Sequence, residues 1–136
     1  MTQRTLLLIK PDAVRRGLVG HLLERFESKG LTIVAMEQRV INGETADQHY
    51  AEHVSKEFYP PLRAFVTSGP LVAAVLEGDE AVDVVRKING ATDGRVAAPG
   101  TIRGDLSLSN RENLVHGSDS LESAEREIKI WFPDLA

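Results

Sequence analysis

Leu31-Thr32-Ile33-Val34-Ala35-Met36-Glu37-Gln38-Arg39-Val40-Ile41 is the stretch that decides the fold. Its first half is rich in β-branched and aliphatic residues and its far end is polar. That pattern predicts one long strand over 31–41. Upstream, Leu18, Val19, Leu22, Leu23 and Phe26 recur at helical spacing, and Gly30 stands where a C-cap glycine would. Before them, residues 5–9 form a continuous apolar run, read as a buried strand that Lys10-Pro11-Asp12 ends. Pro11 keeps Lys10 out of the α region, so Lys10 projects extended from the strand end.

Downstream, residues 45–54 read as a short, mostly polar helix. Pro60 and Pro61 suit the first turn of another, running to about Thr67, with Phe58-Tyr59 in the loop between. Gly69-Pro70 opens a strand over 71–76. Asp79 is placed to cap a helix whose apolar face is Ala81, Val82, Val85 and Ile88, closed by Asn89-Gly90. A long loop follows over 91–110, and structureless loops of that length in a compact domain are mostly functional. Leu114-Val115-His116 reads as a short strand and 120–132 as the last helix.

The order is therefore β-α-β-α-β-α-β-α. A long strand at 31–41 together with extra polar helices points to an α+β chain of ferredoxin-like type. Its expected form is a βαββαβ core with a four-stranded antiparallel sheet, helices on one face, and extra helices added. A doubly wound parallel sheet is the competing topology. No repeat, linker or low-complexity tract interrupts residues 1–136, which are read as one domain.

Composition narrows the chemistry. The 136 residues carry a net charge of −4 and no cysteine. Disulfides, thiolate nucleophiles and thiolate metal sites are thereby excluded. The balance fits a reducing cytosol, and a cytoplasmic location is expected. No signal peptide is read at the N-terminus, and the apolar runs are too short to span a bilayer. An acidic chain lacks the basic face that general nucleic-acid binding needs. Lys10, Arg86 and Arg103 nevertheless interrupt apolar or glycine-rich segments, which points to a local anion site.

With thiolates gone, a histidine leads among candidate nucleophiles, and His116 in Asn113-Leu114-Val115-His116-Gly117-Ser118-Asp119 has the most prepared setting. A carboxylate on its second ring nitrogen would fix the tautomer. Glu127 and Glu125 flank the buried stripe of the last helix on opposite sides, and spacing does not choose between them. Arg103 can fork onto phosphate oxygens, and Thr92 can donate a hydroxyl to them. Phe58 can stack a base without reading its edge. Taken singly, each has a plain reading too: a strand-end histidine, a helix-dipole arginine in Arg86, an aromatic plug. His49 and His53 share an i, i+4 face but lack an evident third ligand, so they read as a solvated polar face and no protein-held metal is expected. There is no Walker A pattern, since no lysine follows Gly20.

Together these segments resemble the nucleoside diphosphate kinase family over nearly the whole chain. They are residues 5–13, His49-Tyr50, Phe58-Tyr59, Ser68-Gly69-Pro70, residues 99–105 and residues 113–120. The resemblance implies ping-pong phosphotransfer from a nucleoside triphosphate, chiefly ATP, to a ribo- or deoxyribonucleoside diphosphate. The carrier would be a pros-phosphohistidine on His116, and broad base tolerance would serve the NTP and dNTP pools. Matched residue by residue, it implies Glu127 and Ser118 as the groups orienting His116. Lys10 would lie at the ribose 3′-hydroxyl and transferring phosphate, and Phe58 would stack the base. Arg86, Thr92 and Arg103 would contact phosphates, Asn113 the ribose, and Tyr50 and Leu62 would support the site. Mg²⁺ would ride on the nucleotide phosphates and water. The family also implies a homo-oligomer, with a hexamer preferred here over a tetramer. Two departures stand out: Gly94 replaces a usual proline, which bears on assembly, and Leu106 replaces a frequent aromatic.

Two other readings of the same residues are a non-catalytic nucleotide-binding module on this fold and a nucleic-acid binder using an open sheet face. Nucleotide turnover separates the first from an enzyme, and salt-sensitive binding to single-stranded DNA would support the second.

Overall fold

The computed structural model describes residues 1–136. Four strands, β1 (Thr2–Ile9), β2 (Thr32–Arg39), β3 (Leu71–Asp79) and β4 (Val115–Gly117), form one sheet in the order β2-β3-β1-β4. Every pairing is antiparallel. This settles the topology in favour of the ferredoxin-like arrangement over the parallel one. β1 and β3 both run longer than their apolar stretches. Their register, Thr2 opposite Asp79 through Ile9 opposite Val72, carries the ladder into polar sequence that hydropathy alone would end.

The helices are α1 (Pro11–Arg15), α2 (Val19–Lys29), α3 (Gly43–His49), α4 (Tyr59–Val66), α5 (Ala81–Asn89), α6 (Ile102–Leu106) and α7 (Leu121–Trp131). A 3₁₀ turn spans Ala51–His53. Gly30 ends α2 with φ of 106°, the left-handed cap its position predicts.

Helices cover both faces of the sheet, which corrects the expectation of one covered face. Side chains alternate along a strand, so neighbours in β1 enter different cores. Leu7 and Ile9 pack with Leu22, Phe26, Ala81, Val85 and Ile102 from α2, α5 and α6. Leu6 and Leu8 pack with Ala46, Tyr59, Val66 and Trp131 from α3, α4 and α7. A strand buried on both sides must read as a continuous apolar run, which is why residues 5–9 show no alternation.

Two further expectations are corrected. Asp79 does not cap α5: it closes β3 and takes the N-terminal ammonium of Met1, while Glu80 precedes the helix at φ 52° with no side-chain cap bond. The 91–110 segment is not all loop. Thr101 caps α6 by accepting from the Gly104 N–H at 3.0 Å, so Arg103 sits on a short helix. No helix is long and apolar enough to cross a membrane.

Candidate active site

β1 and β4 bring residues from opposite ends of the chain together, with Leu8 opposite His116. Directly past β4, Ser120 caps α7 by accepting from the Ser123 N–H at 3.1 Å, and α7 folds back over β1. That return delivers Glu127 to His116. The His116 Nε2–H donates to Glu127 Oε1 at 2.9 Å, and the Ser118 hydroxyl donates to the same oxygen at 2.7 Å. Ser118 is itself held from behind, where its Oγ accepts from the Leu6 N–H at 3.2 Å. Glu125 is exposed, so the helix face chooses Glu127 of the two carboxylates. With Nε2 committed as a donor, Nδ1 of His116 keeps the free lone pair.

His49 overturns the expectation of a solvated His49–His53 face. α3 ends at His49 and the following 3₁₀ turn re-aims the chain, so the i, i+4 relation of a continuous helix is lost. The His49 ring is 3% exposed, and its Nδ1 accepts from the Trp131 Nε1–H at 3.0 Å. Ligand atoms of His49, His116 and Glu127 lie within 4.8 Å of one another, a spacing that could hold a metal. Hydrogen bonding argues against that use. An indole N–H only donates, so Nδ1 of His49 carries no proton and Nε2 carries one, which leaves no lone pair there for a metal.

Lys10 lines the same cavity as His116. It is buried in extended backbone at the end of β1, and its Nζ donates to Asn113 Oδ1 at 2.9 Å. Burial, and then the nearby Arg103 charge, pull its pKa down to about 8. Asn113 is in turn fixed from its amide nitrogen, which donates to the carbonyls of Thr92 and Asn110. Arg103 donates from Nε to Asn113 O at 3.2 Å and from Nη1 to Gly90 O at 2.9 Å, with Nη2 on the Val115 carbonyl. No carboxylate neutralises it, so its positive field reaches the open space beside it.

That space is a cavity of about 950 Å³. Lys10, Arg86, Thr92, Arg103, Asn113 and His116 line it. Phe58, Leu62, Tyr50 and His53 line it too. Phe58 is 50% exposed just before α4, with the His53 ring tilted against it at 5.5 Å and the Lys56 ammonium 5.8 Å from its ring centre. The Tyr50 hydroxyl is buried without a partner, and burial pushes its pKa well up. Glu127 also lines the cavity, whereas Ser118 is fully buried behind it.

One buried acid was missed by motif reasoning. Asp12 Oδ2 accepts from the Leu114 N–H at 3.1 Å, and the Leu114 carbonyl accepts from the Lys10 N–H at 2.8 Å. Leu114 has φ of 75°, a left-handed conformation that costs a branched residue about 1–3 kcal/mol. The Lys10-Pro11-Asp12 corner thus holds the turn that aims β4. Its signal in the sequence was Asp12 immediately after the strand-ending Lys10-Pro11.

A nucleoside diphosphate kinase family model matches residues 3–136. The chain belongs to the nucleoside diphosphate kinase family. A nucleoside diphosphate kinase from a Nocardioides species is 79% identical over 135 residues, spanning 99% of this chain and all of the relative. One from Mycobacterium leprae is 59% identical over 99% of this chain and all of the relative. Among solved structures, a halophilic nucleoside diphosphate kinase from Halobacterium salinarum in complex with CDP superposes with a TM-score of 0.96. It is 47% identical and covers 98% of this chain and 90% of that one. The Encephalitozoon cuniculi nucleoside diphosphate kinase in its apo form gives 0.95 at 40% identity, over 97% and 90%.

Proposed function

We propose that this member of the nucleoside diphosphate kinase family moves the γ-phosphate of a nucleoside triphosphate, chiefly ATP, to a nucleoside diphosphate through His116. The observation that carries the reading is His116 lining one cavity with Lys10, Arg86 and Arg103 while Glu127 holds its Nε2, which leaves Nδ1 with its lone pair. In-line phosphoryl transfer asks for positioning and charge stabilisation more than for covalent chemistry, and this arrangement supplies both.

Nδ1 attacks the γ-phosphorus, the bond to the bridging β-oxygen breaks, and the nucleoside diphosphate leaves with that electron pair. Positive charge appearing on the ring is offset by the Glu127 carboxylate, whose place Ser118 fixes. An acceptor diphosphate then attacks the phosphohistidine from the same cavity, and the imidazole regains its lone pair. Lys10, Arg86, Arg103 and Thr92 hold phosphate oxygens, and Asn113 reaches the ribose. Phe58 and Leu62 sandwich the base, and Tyr50 supports the reacting end. A stacked base read on its face alone is accepted whatever its edge, which gives the broad base tolerance.

A divalent cation, Mg²⁺, serves the reaction. Lys10, Arg86 and Arg103 at the phosphate end repel a cation held by protein alone, so the ion would arrive on the phosphates with water completing its shell. It supplies charge neutralisation on the phosphate chain.

Residues 1–136 act as a single domain in this reading, in a homo-oligomer. The family reading expects a hexamer ahead of a tetramer, and four exposed apolar side chains are available to contacts between subunits. Met36 and Val40 lie along the β2 edge, and Val96 and Leu108 lie on the 91–110 segment. The cysteine-free chain fits the cytoplasm. A coupled ATP-to-dTDP transfer assay, wild type beside His116→Ala, tests the reaction. γ-Labelled ATP should leave an acid-labile, alkali-stable label on wild type alone, and equal labelling of the variant would remove His116 from its role.

A further inference from the structure

His49 is a polar side chain packed against the nucleophile to which the phosphotransfer scheme gives no task. Its ring centroid lies 4.6 Å from that of His116 at an interplanar angle of 80°. Edge-to-face contact at this separation is attractive and orients both rings. On its other side Trp131 donates to Nδ1, and the remaining ring nitrogen, Nε2, is buried with no hydrogen-bond partner. A residue chosen for packing alone would not strand a buried polar atom there, since an apolar ring fills the same space without that cost.

The geometry around His116 shows what the neighbour does. Glu127 grips the imidazole at one atom. A single hydrogen bond fixes a point and leaves the ring free to pivot about the Nε2···Oε1 line. The perpendicular ring of His49 removes that pivot by fixing the plane. Charge agrees with this role. The titratable and charged groups facing His49 are His116, Arg126, Lys10 and His53, with Glu127 beside it and the Tyr50 ring edge-on at 4.6 Å. Burial, followed by His116 and those other basic groups, holds the His49 pKa well below the ordinary histidine range. The ring therefore stays neutral beside an imidazole that becomes cationic when phosphorylated.

We propose that His49 is a positioning residue of the transfer: anchored by Trp131 in its Nε2–H tautomer, it braces the His116 ring so that Nε2 stays on Glu127 and Nδ1 stays turned to the cavity. The proposal rests on the phosphohistidine reading of His116.

Two variants of the full chain test it in the ATP-to-dTDP assay. His49→Phe keeps a flat ring and loses both ring nitrogens. Trp131→Phe keeps His49 and removes its anchor. Both should lower kcat by roughly 10- to 100-fold while KM for either nucleotide moves by less than about twofold, because a misaimed nucleophile slows the step without weakening binding. A wild-type kcat in His49→Phe overturns the proposal, and so does a loss that falls on KM instead. Because both positions are buried, nitrogen-15 histidine NMR on the unmodified protein gives an answer that needs no variant. His49 should show the neutral Nε2–H tautomer throughout about pH 6 to 8. The Nδ1–H tautomer, or titration within that range, overturns the proposal even where a variant fails to fold. Absence of transfer by wild type defeats the phosphohistidine reading itself, a result separate from either of these.

Discussion

Glu127 Oε1 accepts two hydrogen bonds at once, from His116 Nε2 at 2.9 Å and from the Ser118 hydroxyl at 2.7 Å. The second bond explains the first. A glutamate on a helix flank has three rotatable bonds, and a lone contact would let it swing; Ser118, itself tied to the β1 backbone, removes that freedom. Glu127→Gln should therefore lower kcat on the order of 100-fold with little change in KM, because the amide cannot offset charge on the phosphorylated ring. Stopped-flow phosphoenzyme formation checks this, and a wild-type rate would contradict it.

Ser118→Ala should act on stability as well as rate. It leaves the buried Leu6 N–H without its acceptor, a loss of about 1–3 kcal/mol. Urea unfolding of the variant measures it, and an unchanged midpoint would show that the bond contributes nothing.

Lys10 titrates in an accessible window. Its pKa, pulled down to about 8 from an ordinary 10.5, means the folded chain releases this proton before the unfolded chain does. Between those values the unfolded state binds more protons, so this group's contribution to stability becomes more favourable as pH rises from about 8 to 10.5. Function should move the other way: if Lys10 makes the proposed phosphate contact, that contact loses its charge and kcat/KM falls as pH rises through about 8, the free-enzyme value. Lys10→Gln should be slow throughout and lack this alkaline limb. A flat wild-type profile across that range would exclude the assignment.

Phe58→Ala should raise KM for adenine, guanine, cytosine and thymine nucleotides by a similar factor. Base–aromatic stacking is worth about 1–3 kcal/mol per base. A loss confined to one base would mean that Phe58 reads an edge.

Gly94 is buried where a Cβ would run into the Ser107 carbonyl, and its N–H donates to Ser109 O at 3.2 Å. In this chain the glycine is thus a close-approach residue, not a looser substitute for proline. Gly94→Pro should cost about 1–3 kcal/mol through overpacking, with the hydrogen bond lost in addition. Thermal unfolding, with light scattering for subunit count, separates the effect on the fold from that on assembly.

The elements and their order were legible because each carries its own punctuation: Gly30 after α2, Pro60-Pro61 opening α4, Gly69-Pro70 before β3. The residues named for the site were legible because strand ends and loop signals mark them locally, and all but Ser118, buried behind Glu127, line one cavity. What stayed hidden depends on neighbours far along the chain. His49 looked solvated because helical spacing pairs it with His53, and only docking of α7 brings Trp131 over it. The covered second sheet face was unreadable because the apolar side chains of α4 and α7 do not say in sequence which face of the sheet they cover. The left-handed Leu114 has no sequence signal, because its conformation is imposed from the Lys10-Pro11-Asp12 corner.

The place of β1, between β3 and β4, also governs when this protein can work. Lys10 and Asn113 meet across 103 positions of sequence, and His116 sits on β4, the last strand in sequence. A nascent chain that has folded β1 against β3 still has an open edge and no nucleophile. The site is complete only when β4 lies on β1 and α7 brings Glu127 to His116. A chain cut short before β4 and α7 would lack both His116 and Glu127, so the whole site depends on the last elements in sequence.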